Sequence, residues 1–194
     1  MRLMKTYIET IKVTDGIVNN LFYHQQRVFR TIGKMIDLPL PQLSTDTKGT
    51  MKHRIVYDST GKLLDVSTSP YIMRPIRSLH IVSDDAIDYT SKYEDRSALN
   101  KLFSMRGDAD DVLIIKDGYV SDTSYCNIVF ENETGLFTST TPLLLGTKRQ
   151  ILLDKGIIKS RQIILQDIGD YDAIYLVNSM IELGELKIAI DDIY

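Results

Sequence analysis

A carboxylate set among hydroxyls, and a glycine and threonine placed to open a helix, are the groups in this 194-residue chain best suited to chemistry. The first lie in Ser121-Asp122-Thr123-Ser124-Tyr125-Cys126-Asn127-Ile128-Val129-Phe130. The second follow twelve residues on, in Pro142-Leu143-Leu144-Leu145-Gly146-Thr147-Lys148-Arg149-Gln150. An aspartate facing a ring nitrogen stabilises its protonated form. Backbone N–H groups at a helix start, with a threonine hydroxyl beside them, bind phosphate. The two stretches together could hold a molecule with an aromatic nitrogen at one end and a phosphate at the other.

Carbonyl chemistry adds a demand for an amine that can lose its proton in a partly buried place. Lys101 lies about 130° from the centre of the apolar stripe on its expected helix, by the 3.6-residue period, and is expected to face water. Lys116 adjoins a hairpin tip and is expected to be solvated too. Lys92 stands instead in Tyr89-Thr90-Ser91-Lys92-Tyr93-Glu94-Asp95-Arg96, an aromatic and acidic neighbourhood immediately before a helix. Each of these residues also has a plain structural reading. A lone lysine is most often a solvated surface group, Arg27 reads as a surface helix charge, Asp122 as a turn residue and Gly146-Thr147 as a helix entry. Cys126, inside an apolar strand, reads as an inert core residue rather than a nucleophile. His24, His53 and His80 lack metal-ligand spacing and there is no Cys-x-x-Cys, so no zinc site is expected.

The elements that must position these groups alternate between strands and helices. Tyr7 to Val13 alternates apolar and polar residues and closes at Asp15-Gly16, which predicts a half-buried strand and a turn. A helix follows, with Leu21, Phe22, Gln25, Val28, Phe29, Ile32, Met35 and Ile36 on one face and Pro39 and Pro41 stopping it. Arg54 to Tyr57 and Lys62 to Val66 flank Asp58-Ser59-Thr60-Gly61 as a hairpin, and Arg77 to Val82 is a further strand. The acidic stretch from Ser83 to Asp95 predicts a crossing, with the boundary between two domains near residue 85: a small unit over 1–85 and a larger one over 86–194 that carries Lys92. That second half opens on a helix from Glu94 to Met105, with an apolar stripe of Ala98, Leu99, Leu102 and Phe103. Asp117-Gly118 joins Val112–Ile115 to a strand from Val120. A helix runs from Thr147 to about Lys155 with Gly156 as cap, and Ala173 to Val177 is a buried strand. The fold class is α+β, strand-dominated, with helices outside.

Composition narrows the partners. With 43% hydrophobic and 25% charged residues the chain is an ordinary globular protein, and a net charge of -3 with scattered Lys and Arg gives no footprint for nucleic acid or anionic membrane. No stretch approaches the roughly 18 apolar residues of a membrane helix. The lone cysteine and the absence of a signal-peptide pattern predict a cytoplasmic protein whose partner is a small molecule or another subunit.

Five segments, in order, carry a resemblance: Ile8-Glu9-Thr10-Ile11-Lys12-Val13 with Asp15-Gly16; His24-Gln25-Gln26-Arg27; Lys92 with Asp95 and Arg96; Asp122 to Asn127; and Gly146-Thr147-Lys148-Arg149. The chain resembles the fold-type IV pyridoxal-phosphate enzymes, the family of branched-chain and D-amino-acid aminotransferases and 4-amino-4-deoxychorismate lyase. Coverage runs from about Ile8 to Asn178. The resemblance implies a two-lobed, D-amino-acid aminotransferase-like fold of mostly antiparallel sheets with flanking helices, a homodimer, and pyridoxal 5'-phosphate as cofactor. It implies Lys92 as the lysine that holds the cofactor aldehyde and then moves protons, and Asp122 at the pyridine nitrogen, making the ring an electron sink. It implies Arg27 as a forked donor to the phosphate, and Thr147 with the nearby backbone completing that cradle.

Four departures from the family pattern stand out. Asp122 replaces the usual glutamate, drawing the carboxylate back by one bond, roughly 1.5 Å. Ser97 stands where a tyrosine is often found, five residues after the lysine. Lys148 replaces a common threonine and could add charge at the phosphate or point outward. The Gly- and Asp-rich segment expected ahead of the Glu9-Thr10 strand has no counterpart, so specificity is poorly constrained. The short length most resembles 4-amino-4-deoxychorismate lyase, implying release of 4-aminobenzoate and pyruvate in folate synthesis, with Lys92 as base and acid toward a small amino substrate. A class IV aminotransferase of branched-chain or D-amino acids is the competing reading, and a non-catalytic pyridoxal-phosphate binder the third. Lys12, Arg74, Arg77 and Arg96 are unranked candidates for a substrate carboxylate.

Overall fold

The computed structural model describes residues 5–43 and 47–194 and divides into two compact units, Met1–Met73 with Ser91–Asp95, and Arg74–Thr90 with Arg96–Tyr194. This partition differs from a single cut near residue 85, because Ser91–Asp95 returns to the first unit and carries Lys92 with it.

The first unit is a four-stranded antiparallel sheet with one helix. Strands β1 (Thr6–Thr14) and β2 (Ile17–Val18) turn through Asp15 and Gly16, both at positive φ, and helix α1 (Leu21–Ile32) follows. Strands β3 (Thr50–Asp58) and β4 (Leu63–Pro70) complete the order β2-β1-β3-β4. Because β3 covers β1 over its whole length and β2 covers only its far end, the other edge of β1 is open near its start. The segment 91–95 fills it: Ile8 N–H donates to the Lys92 carbonyl and Glu94 N–H to the Thr6 carbonyl, each at 2.9 Å. The core beneath gathers Tyr7, Ile11, Val28, Leu38, Ile55 and Tyr57.

Helix α1 is shorter than its apolar pattern implies, and it faces differently. Gly33, at φ 74°, ends it by donating to the Phe29 carbonyl, so Met35 and Ile36 lie past its end. Its buried residues are His24, Arg27 and Val28, whereas Phe22 and Phe29 are 62% and 48% exposed. A carboxylate on β1 gives the two basic side chains a partner in the core, and that partner outweighs the hydrophobicity of the two phenylalanines in setting the helix rotation.

The second unit holds two sheets. Strand β5 (Leu79–Ser83) pairs in parallel with β6 (Asp111–Lys116), which pairs antiparallel with β7 (Tyr119–Thr123). Asp117 and Gly118, at φ 52° and 80°, make the β6–β7 turn that their sequence demands. Helix α2 spans only Ser97–Phe103, since 91–95 is extended along β1 and cannot open a helix at Glu94. Leu99 and Leu102 are buried on it and Ala98 is exposed. The five-stranded sheet has β8 (Asn127–Asn132), β9 (Gly135–Ser139), β10 (Lys159–Arg161), β11 (Ala173–Val177) and β12 (Lys187–Ala189) in the order β10-β9-β8-β11-β12, antiparallel except for β10 on β9. Helix α3 (Thr147–Asp154) lies on it through Leu152, against Val129, Ile158 and Val177. The architecture is α+β with mostly antiparallel sheets. Among the described residues no helix is long and apolar enough to cross a membrane.

Candidate active site

Alternation along β1 puts Glu9 on the same face as Tyr7, Ile11 and Val13, with no exposed surface at all. A carboxylate so placed must be paired. Arg27 supplies Nε to Oε1 at 2.8 Å and Nη2 to Oε2 at 2.5 Å, and His24 Nδ1 lies 2.5 Å from Oε2. Burial alone would raise the Glu9 carboxyl, but the Arg27 guanidinium and the hydrogen bonds from His24 and Arg27 outweigh it and hold the pKa at about 2. An ionised carboxylate only accepts, so His24 Nδ1 carries the hydrogen and donates it. Burial, with Arg27 and Lys92 nearby, lowers His24 against the pull of Glu9, so the ring is neutral. Lys92 is half-buried in the same unit. Glu9 and His24 thus orient Arg27, and they are the two members of this cluster to which sequence reasoning assigned no role. The signal was present: a glutamate at an apolar-parity position of an alternating strand.

The second unit builds the other cluster. Asp122, on β7, is 4% exposed and accepts from Asn127 Nδ2 at 2.8 Å and from Leu144 N–H at 2.9 Å, one bond to each oxygen. Burial pushes its pKa up to about 6 against the lowering effect of Leu144, Asn127 and Arg149. A carboxylate held aloof from water without a directly bonded cation is suited to a cationic partner such as a protonated ring nitrogen. Asn127 also donates to the Leu144 carbonyl at 2.9 Å, which ties Asp122 to the turn that opens α3.

At that turn Gly146 is the N-cap, with φ −67° and ψ 146°, and no side chain caps the helix. Any residue adopts such dihedrals; glycine is needed for room. A Cβ here would overlap the Asn127 amide oxygen. We therefore expect Gly146→Ala to displace Asn127 from both its partners and cost roughly 1–3 kcal/mol. Unfolding midpoints unchanged from the parent would show that the turn yields without strain.

The uncapped first turn of α3 presents backbone N–H groups, with Thr147 and Lys148 buried beside them. Lys148 points inward and pairs with Glu182, whose side chain is half exposed. Arg149 donates to the Ser139 carbonyl at 2.8 Å and to Thr138 Oγ1 at 3.3 Å. Of the five residues singled out by sequence, Arg27 and Lys92 fall in the first unit and Asp122, Thr147 and Lys148 in the second. The fork of Arg27 is engaged by Glu9. Lys116, expected in water, is partly buried and donates to the Ile87 carbonyl at 2.6 Å. Cys126 is buried and accepts from Asn178 Nδ2 at 3.3 Å. Among the described residues no three His, Cys, Asp or Glu side chains are grouped to hold a metal ion.

The donor set fits a phosphorylated pyridine. A buried carboxylate with a raised pKa would suit the ring nitrogen, and an uncapped helix start flanked by a hydroxyl and by the buried ammonium that Glu182 pairs would suit the anionic end.

Comparison with known proteins agrees in kind. The family model of class IV amino-transferases matches residues 90–187. An uncharacterised Haemophilus influenzae protein is 35% identical over 187 residues, spanning 91% of this chain and 98% of that protein. The crystal structure of a candidate 4-amino-4-deoxychorismate lyase from Haemophilus somnus superposes with a TM-score of 0.81 at 30% identity, covering 94% of this chain and 100% of that one. A hypothetical aminotransferase from Mycobacterium tuberculosis, in a PLP-bound form, gives 0.73 at 22% identity over 97% of this chain and 81% of its own, a likeness of fold.

Proposed function

From a chain that belongs to the class IV amino-transferase family, we infer a pyridoxal-phosphate-dependent lyase that converts 4-amino-4-deoxychorismate to 4-aminobenzoate and pyruvate. The observation that carries the cofactor is Asp122, a buried carboxylate with its pKa near 6, clamped by Asn127 and Leu144. Support for lyase over transaminase comes from the likeness to the Haemophilus somnus protein across nearly all of both chains.

When bound, pyridoxal phosphate supplies an electron sink for the carbon that bears the substrate amine. The protein's own groups do the rest. Lys92 Nζ would carry the cofactor and, once the substrate amine has taken its place, would remove the proton from the amine-bearing carbon and return one later. Asp122 keeps the ring nitrogen protonated. Thr147, Lys148 and the first turn of α3 would hold the phosphate, and the resemblance adds Arg27, which Glu9 orients within the first unit, to that role. The same reading includes a homodimer, checked by sedimentation at twice the 22.1 kDa of one chain.

The role of Asp122 fixes a pH dependence. Its folded pKa is raised, so in cofactor-free protein stability falls as pH rises from the ordinary 3.8 towards about 6, where the buried carboxyl ionises, and the full cost remains above that. A ring N–H cation relieves that cost only when the carboxylate is ionised. Pyridoxal phosphate is therefore expected to raise the thermal midpoint more at about pH 7.5 than at about pH 5. The reverse order would remove Asp122 from the ring nitrogen.

The deciding assay supplies 4-amino-4-deoxychorismate alone, then D-alanine or L-leucine with 2-oxoglutarate. Release of 4-aminobenzoate and pyruvate with no keto acid added supports the lyase. Glutamate formation in its place overturns it for a transaminase, and cofactor absorbance without turnover of any amine overturns it for a non-catalytic binder.

A further inference from the structure

A hollow of about 300 Å³ in the second unit is lined by Arg74, Arg96, Asn100, Phe103, Ser124 and Tyr125. We propose that it binds a small aromatic monocarboxylate, gripped by Arg96 and Arg74. The inference deepens the lyase reading, on which its choice of 4-aminobenzoate as the natural occupant rests; the binding site itself does not depend on it.

The charges set the anion. Arg96 donates Nη2 to the Ser124 carbonyl at 2.7 Å, which fixes its guanidinium, and among the described residues no carboxylate pairs with it. Arg74 reaches Asp111 at 3.2 Å, where the Asp111 side chain is wholly buried and that of Arg74 is half exposed. Among the residues that line the hollow, two guanidiniums against the one carboxylate that Arg74 engages leave a single positive charge; Arg106, over the Phe103 ring at 4.1 Å, stands outside the lining. A monoanion neutralises it, whereas a dianionic phosphate would bring excess negative charge beside Asp111. Guanidinium forks suit a carboxylate in particular.

The walls set the rest of the ligand. Phe103 carries Arg74 over its ring at 5.1 Å and lends the hollow an apolar edge, and the Tyr125 ring is 39% exposed beside it. Flat apolar walls with charge at one place favour a ring that bears its carboxylate at one end. Asn100 adds an amide that can donate or accept. Of the four basic residues considered for a substrate carboxylate, only Arg74 and Arg96 line this hollow. Lys12 lies on β1 of the first unit, and Arg77 is engaged through its backbone N–H by Asp110 at 2.7 Å.

The test is calorimetric titration of pyridoxal-phosphate-loaded protein with 4-aminobenzoate, benzoate, benzamide and acetate. Benzoate and 4-aminobenzoate are expected to bind, with benzamide and acetate at least about tenfold weaker, a factor that corresponds to roughly 1.4 kcal/mol. Arg96→Gln should weaken benzoate by a similar factor, and Arg96→Lys should restore part of it. Because Arg96 also braces the Ser124 carbonyl, Tyr125→Ala provides a second variant on an exposed ring, expected to weaken benzoate and leave acetate unchanged. Benzamide or acetate binding as tightly as benzoate would overturn the proposal, as would benzoate affinity indifferent to both Arg96→Gln and Tyr125→Ala. The two readings fail separately. Release of 4-aminobenzoate without benzoate binding sinks the hollow, and benzoate binding without any release sinks the reaction.

Discussion

Lys92→Ala is expected to lower turnover by on the order of a thousandfold or more, because under the proposed function it removes both the amine that carries the cofactor and the base that moves the proton. The imine absorbance near the visible edge should vanish with it. Ile8 N–H donates to the backbone carbonyl of residue 92, which alanine retains, so the pairing of 91–95 with β1 should survive the substitution. That separates a chemical loss from a structural one. Retention of the absorbance band after the substitution would remove Lys92 from its role.

Replacing Glu9 is expected to have the largest effect on stability. Its carboxylate has no exposed surface and is the partner of both Arg27 and His24. Removing one member of a buried ion pair leaves an uncompensated charge and typically costs about 3–5 kcal/mol, so Glu9→Ala should shift the urea midpoint of unfolding accordingly. The exposed pair between Arg54 and Glu94, at 2.9 Å, provides the contrast. Both of its side chains are about a third exposed, and Glu94→Gln should cost under about 1 kcal/mol. Equal costs for the two variants would contradict the burial argument.

Acid should act through the same group. Glu9 has its folded pKa depressed to about 2 from an ordinary 4.5. Its stabilisation is complete above the unfolded value and is lost as pH falls from about 4.5 towards 2. The Glu9→Gln protein should therefore show a flatter decline of stability across that window than the parent. Parallel curves would mean that other carboxylates carry the acid sensitivity.

Local rules account for what could be read from the chain. Asp15-Gly16 and Asp117-Gly118 are turn dipeptides whose positive φ the backbone adopts, so both turns were legible, although the two-residue strand after the first was not. Gly156, also at positive φ, marks the end of α3 where expected. The inward face of α1 and the start of α2 were less legible, because each depends on a distant residue. The inward face of α1 is set by Glu9, eighteen positions before Arg27, and the start of α2 by 91–95 pairing with β1. Strands β9, β10 and β12 are short, and their sequences become strands only through pairing, β9 with β8, β10 with β9 and β12 with β11.

The site follows the same division. Asp122, Thr147 and Lys148 stand in motifs whose types announce their chemistry, whereas Asn127 and Gly146 matter through one contact that no spacing rule reveals, the amide oxygen of the first against the missing side chain of the second. The inward pairing of Lys148 with Glu182 depends on a residue thirty-four positions away.

Reductive trapping addresses the central claim most directly. The protein is incubated with pyridoxal phosphate, reduced with borohydride, digested, and its peptides weighed to find which lysine bears the pyridoxyl group. One modified site is expected, at Lys92. Modification at a different lysine, or none at all, would contradict it.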